Sequence, residues 1–164
     1  QPGLRIGRTD PAVDPQGANA LLTLQLAGTY YHQPKLLEQV AGELQNPQQI
    51  FAEPSLMSRL EAGQIDATVG YASAAFSHHL PTIDLPDEIN LAQPSMQDAW
   101  YAKASLTLAD GKVLKAQPLV FYAAVLADAK QPQLAADFVR LLQSADGQAM
   151  LRERGYDPPH GEAL

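Results

Sequence analysis

The chain has 164 residues, 46% of them apolar, which is enough for a domain with a core or for one and a half lobes of a two-lobed protein. Eighteen acidic against eleven basic residues give a net charge of −7, and the basic residues are scattered, so nucleic acid is excluded as a partner. Having no cysteine rules out disulfides, thiolate metal sites and thiol catalysis, and no apolar run is long enough to span a bilayer.

Residues 4–7 read as a short strand that runs into the loop Gly7-Arg8-Thr9-Asp10-Pro11-Ala12-Val13-Asp14. Asp14 is a good N-cap, and Pro15 fits the first helical position, where its missing N–H costs nothing. A helix over 15–31 follows, with Ala18, Leu21, Leu22, Leu26 and Tyr30 at helical spacing and Leu24 and Ala27 widening the stripe. With Gly17 removing bulk, the amides of Gln16, Gly17 and Ala18 are expected to stand exposed at the positive end of the helix dipole, a seat for an anion. Net charge does not veto this, because distant charges are screened beyond roughly 10 Å at 0.1 M salt.

A second helix after Gln33-Pro34 carries Leu37, Val40, Ala41 and Leu44 on one face and stops at Asn46-Pro47. Residues 50–51 read as a short extended stretch, 54–62 as a helix with Gly63 as its C-cap, and 65–71 as an alternating strand. A brief helix over 72–79 and a strand over 82–85 precede the Pro86-Asp87 turn. Such alternation implies a mainly parallel sheet with covering helices.

After Leu91 the character changes. Residues 92–99 read as a connector, and 100–108 and 113–127 as long antiparallel strands around the Asp110-Gly111-Lys112 turn, broken at Pro118. Leu134, Ala135, Phe138, Leu141 and Leu142 mark an amphipathic helix, and Ser144 caps a last one that closes at Gly155.

Several stretches together resemble the molybdate/tungstate-binding receptors of ABC importers, a group of extracellular solute-binding proteins. They are Gly7-Arg8-Thr9-Asp10-Pro11, Asp14-Pro15-Gln16-Gly17, Leu26-Ala27-Gly28-Thr29-Tyr30-Tyr31, Leu60-Glu61-Ala62-Gly63-Gln64-Ile65-Asp66-Ala67, Leu85-Pro86-Asp87-Glu88-Ile89-Asn90-Leu91 and residues 138–148. The resemblance implies an α/β, type II periplasmic-binding-protein-like fold: one complete lobe with a mainly parallel sheet and covering helices, plus a C-terminal return segment. It divides the chain into a ligand-binding lobe over 1–91, a crossover connector and hairpin over 92–130, and C-terminal helices over 131–164 that belong partly to a missing first lobe. Gln1-Pro2-Gly3 is neither a signal peptide nor a natural start, so the chain is expected to be an excised or processed portion. The C-terminal helices would then pack on the remaining lobe or swap between two copies in a dimer.

As ligand-binding residues the residues and the resemblance together mark Thr9, Asp10, Asp14, Gln16, Gly17, Ala18, Tyr71 and Phe121. In the archaeal branch of that family a carboxylate matching Asp14 coordinates the metal of the oxyanion, with a second carboxylate where this chain has Gly70. Without that oxygen, a tetrahedral oxyanion held by hydrogen bonds fits better, with Asp14 acting as a cap. Ala18 replaces an aromatic residue, and Phe121 a tyrosine whose hydroxyl could donate. Asp10 and Asp14 also have a plain reading, one shaping a turn and the other capping a helix. Arg8 either lends charge to the loop or pairs with an acidic neighbour on the surface.

His78 and His79 are adjacent and cannot easily chelate one metal, and His32 and His160 have no ligand-like spacing to them. No nucleophile elbow, phosphate loop or zinc-protease motif occurs, so no catalytic residue, metal or cofactor is expected. The resemblance points to an importer's receptor that takes up molybdate or tungstate, meets an ABC permease, and lies in the periplasm or outside the cell, where a lipid anchor is compatible with it. The alternatives are an effector-sensing domain of a transcriptional regulator with this fold, and an enzyme using the same helix terminus as an anion site.

Overall fold

A computed structural model describes residues 3–159; Gln1, Pro2 and His160 lie outside them. The chain is mixed α/β and forms two compact units. One holds the residues through Gly70 together with Ile83–Leu119; the other holds Tyr71–Thr82 and the residues from Val120 onward.

In the first unit, β1 (Ile6–Gly7) pairs in parallel with β2 (Ala67–Thr68), and a parallel bridge joins Arg8 to Ile50. The parallel arrangement expected from the alternation of elements is therefore present, but it is two residues deep. Ile65 is buried beside β2 without entering the ladder, and residues 82–85 form no strand, Ile83 being 91% exposed. Arg5 and Asp66 lock the start of this pair. The Arg5 guanidinium donates to both Asp66 oxygens at 2.7 and 3.0 Å, the Arg5 amide donates to the same carboxylate at 2.8 Å, and the Asp66 amide donates to the Arg5 carbonyl at 2.7 Å.

Helix α1 (Pro15–Tyr30) is the spine of this unit. Its local start signals act as the sequence requires: the Asp14 carboxylate accepts from the Gln16 amide at 2.8 Å, and Pro15 occupies the first turn. At its other end the Gln33 amide donates to the Gly28 carbonyl while His32 takes positive φ, a Schellman-type stop without glycine. Leu21, Leu22 and Leu26 are buried against Ile89, Leu91, Tyr101, Leu106 and Leu114.

Two shorter helices follow: α2 (Leu36–Ala41), which packs on this spine and is ended by Gly42, and α3 (Glu53–Glu61), which packs on the β1–β2 pair and is followed by Gly63 at positive φ. The expected long hairpin is reduced to β3 (Ser105–Thr107) and β4 (Val113–Lys115) around the Gly111 turn. Residues 101–103 coil into a 3-10 turn, because the Tyr101 side chain is drawn into the core. Its hydroxyl donates to the Asp87 carbonyl at 2.5 Å and accepts from the Gln93 amide.

The second unit contains α4 (Ala72–Ser77), α5 (Pro132–Gln143) and α6 (Ala145–Arg152). Ser144 caps α6 by accepting from the Gly147 amide, and Gly155 has the positive φ expected of a helix stop. A Cβ on Gly147 would lie 2.0 Å from the Leu141 carbonyl, so α6 can lie against the end of α5 only because residue 147 has no side chain. Gly147 is also the one buried residue among those described in this unit.

Candidate functional site

Six of the eight marked residues (Thr9, Asp10, Asp14, Gln16, Gly17 and Ala18) come together where the β1 loop enters α1. Tyr71 and Phe121 belong to the second unit.

The loop is built by its own aspartates. Asp10 accepts from the Ala12 amide at 2.9 Å through its carboxylate, and from the Val13 and Asp14 amides through its carbonyl, closing a tight turn. Asp14 caps the helix. Both carboxylates therefore do what the plain reading assigned to them.

This corrects the expectation of three exposed amides. The Gln16 N–H is spent on the Asp14 carboxylate and the Ala18 N–H on the Asp14 carbonyl, at 3.3 Å. The Gly17 N–H alone in this turn has no partner among the described residues. Nor does the missing side chain of Gly17 open the turn to solvent. A Cβ there would lie 2.2 Å from the Thr9 carbonyl and 2.9 Å from Thr9 Oγ1, so Thr9 fills that space.

Thr9 is 2% exposed, and its hydroxyl is enclosed without a hydrogen-bond partner. Gln16 donates through Nε2 to the Val69 carbonyl at 3.0 Å and leaves Oε1 buried and unpaired. Gly70 follows directly, and a Cβ there would sit 3.8 Å from Gln16 Nε2. The position where the resemblance implies a second carboxylate in the archaeal branch thus borders this turn, with room for a side chain.

Arg8 departs from both of its expected roles. It is 2% exposed, and its guanidinium is turned into the protein, where Nη2 donates to the carbonyls of Leu44 at 2.7 Å and Glu43 at 3.3 Å while Nε donates to Gln49 Oε1. Burial lowers its pKa from the ordinary guanidinium value, partly offset by the charge of Asp10. Nothing in the sequence signals this, because carbonyls left open after a short helix leave no trace in residue type.

The cation that does reach the loop is Lys112, in the hairpin turn, whose Nζ donates to the Ala12 carbonyl at 2.7 Å. One hundred residues separate the two, so no sequence spacing could have disclosed it.

Tyr71 is half-buried and stands immediately before α4, its carbonyl accepting from the Ala74 and Ala75 amides. Phe121 is 72% exposed and packs edge-on against Tyr156, with ring centroids 5.6 Å apart. Both border the Gly155-Tyr156 turn, since Gly155 lies against Ala72. Among the described residues no three His, Asp or Glu side chains gather as metal ligands would, and no helix is long and apolar enough to cross a membrane.

A family model described as bacterial extracellular solute-binding protein matches residues 1–157. The chain belongs to that family. Among the relatives of this solute-binding chain, the molybdate/tungstate-binding protein of Pyrococcus abyssi is 34% identical over 171 residues, covering 92% of this chain and 49% of its own length. Its counterpart in Thermococcus kodakarensis is 33% identical, over 92% and 48% respectively. An uncharacterized solute-binding protein of Petrotoga mobilis is 30% identical over 98% of the chain and 52% of its own length. The solute-binding chain spans about half the length of these relatives, all of which are named for binding.

Proposed function

We propose that this chain is part of the receptor of an ABC importer, working in the periplasm or outside the cell, and that the start of α1 seats a tetrahedral oxyanion, molybdate or tungstate. The observation that carries the reading is the pair of unspent donors side by side at that terminus, the Gly17 N–H and the Thr9 hydroxyl. Buried polar groups are nearly always paired, so two open donors at the positive end of a helix of sixteen residues call for an acceptor that carries charge.

The seat works by hydrogen bonds. Asp14 turns its carboxylate onto the Gln16 amide, and Gly70 supplies no second oxygen, which leaves the metal of the oxyanion without a pair of protein ligands. Lys112 offsets the two aspartates by bringing a positive charge to Ala12. Because the Thr9 hydroxyl is enclosed, uptake includes an outward movement of residues 10–14, with Lys112 as the tie that yields. The loaded receptor then meets a permease, and the ligand leaves chemically unchanged. The names of the two archaeal relatives support this choice of ligand.

Calorimetric titration of the full-length protein with molybdate, tungstate, sulfate and phosphate at one ionic strength tests it. Molybdate or tungstate should bind, and Thr9→Val should weaken that binding roughly 10- to 100-fold, the worth of one hydrogen bond to a charged group. Silence toward all four anions would remove the oxyanion reading. Undiminished affinity in T9V would move the seat elsewhere and leave the receptor role standing.

A further inference from the structure

The start of α1 holds an open acceptor as well as two open donors. Gln16 is 7% exposed, and its Oε1 has no partner, while its Nε2 donates to the Val69 carbonyl at 3.0 Å. Turning the amide over does not cure this. A carbonyl only accepts, so Nε2 must face Val69, and the reverse orientation would set two oxygens against each other. Thr9 does not supply the missing donor, because its own hydroxyl is unpartnered.

These groups share one corner of the first unit. Gly17 lies on Thr9 at the exit of β1, and its neighbour Gln16 reaches Val69 at the exit of β2. The exits stand side by side because the strands pair in parallel, and the carboxyl ends of parallel strands are where α/β folds bind ligands. The charged groups about this corner are the carboxylates of Asp10 and Asp14 in the loop and the Lys112 ammonium from the hairpin turn. Arg8, whose charge acts on Asp10, turns its guanidinium toward Leu44, Arg5 and Asp66 are spent on each other, and residues 67–70 carry no charge. Two carboxylates beside the seat disfavour each added negative charge on a ligand.

We propose that this seat selects an oxyanion that carries one proton. The protonated oxygen donates to Gln16 Oε1, two other oxygens accept from the Gly17 N–H and the Thr9 hydroxyl, and the proton stays on the ligand. All three open groups are then paired. A fully deprotonated oxyanion pairs the donors but leaves Gln16 Oε1 facing another oxygen. Monohydrogen phosphate has such a proton at neutral pH, and sulfate, of the same charge and nearly the same size, has none. Molybdate and tungstate acquire it as pH falls, so their binding takes up a proton along with the ligand. The inference rests on the oxyanion seat proposed above and adds protonation to what that seat reads.

Titration calorimetry on the full-length protein with phosphate, sulfate and molybdate, in buffers of different protonation enthalpy, tests it. Phosphate should bind at least about 10-fold more tightly than sulfate, the worth of one buried hydrogen bond. Molybdate should bind with uptake of a proton that sulfate does not show, and should lose about tenfold in affinity per pH unit between about pH 6 and about pH 8. Sulfate serves there as the control for titration of Asp10, Asp14 and Lys112. Gln16→Met, of similar length but without the acceptor, should bring phosphate and sulfate within about threefold of each other. Equal affinity for phosphate and sulfate, or molybdate binding without proton uptake, would overturn the inference and leave the seat standing. A phosphate preference that survives in a folded Q16M would overturn it as well, and silence toward every anion would remove the seat together with the inference. Should Q16M fail to fold, proton uptake by the wild type decides.

Discussion

Replacing Arg8 separates two accounts of the loop. If its charge serves the anion, Arg8→Met weakens binding and leaves the ligand-free protein as stable as before. The geometry says otherwise. Arg8→Met keeps most of the stem's volume but removes the donors to the Leu44 and Glu43 carbonyls and to Gln49 Oε1. Each hydrogen bond from a charged donor contributes about 1.5–3 kcal/mol, and part of that total is returned because a buried cation, whose pKa is already lowered by desolvation, no longer has to be kept from water. A net loss of about 2–4 kcal/mol follows, a large share of a typical 5–15 kcal/mol. In urea this appears as a lower midpoint with an unchanged slope. Arg8→Lys recovers little, since an ammonium cannot serve Nε and Nη2 partners that diverge. An R8M protein with the wild-type midpoint and a lost response to oxyanion would refute this reasoning.

Three further outcomes are expected. Tyr101→Phe, which strands the Asp87 carbonyl and the Gln93 amide in the core, should cost about 1–3 kcal/mol by chemical denaturation, and a neutral result would mean water replaces the hydroxyl. Gly17→Ala gains up to about 1 kcal/mol of helix propensity but drives a methyl into the Thr9 carbonyl, so thermal melting should show net destabilisation of about 1–3 kcal/mol. Asp66 is held at about 2 by hydrogen bonds from Arg5, below its ordinary value, so it contributes stability above about pH 4 that is lost as pH falls toward 2. Asp66→Asn should flatten stability across that window, by an amount that shrinks in high salt because the pair is solvent-exposed.

What could be read from the sequence was local. Asp14, Pro15 and the apolar spacing of α1 act within a turn or two of themselves, so cap, start and buried stripe were all legible there. Strand extent was not, because pairing is set by what lies opposite. Residues 65–71 alternate as a strand should, yet only Ala67 and Thr68 meet β1. The run 120–127 was read as the continuation of a hairpin, but past Lys115 it leaves β3, with Pro118 unable to donate to a ladder. At the site, the residues that form the turn were identified, and the destinations of their hydrogen bonds were not. Two of three amides and the Arg8 guanidinium turn out to serve the protein itself, while Lys112 comes in from the hairpin turn.

The contact between Gly17 and the Thr9 carbonyl also determines where this loop can vary. Positions 9 and 17 act as a closed hinge plate, since any side chain at 17 pushes the strand exit away from the spine. Val13, 82% exposed, and Pro15 form the outer rim and carry no such constraint. Variation in this turn is therefore work for the rim, and libraries that randomise residues 13 and 15 while leaving the plate and the Asp14 cap intact should return folded proteins far more often than those that include 17.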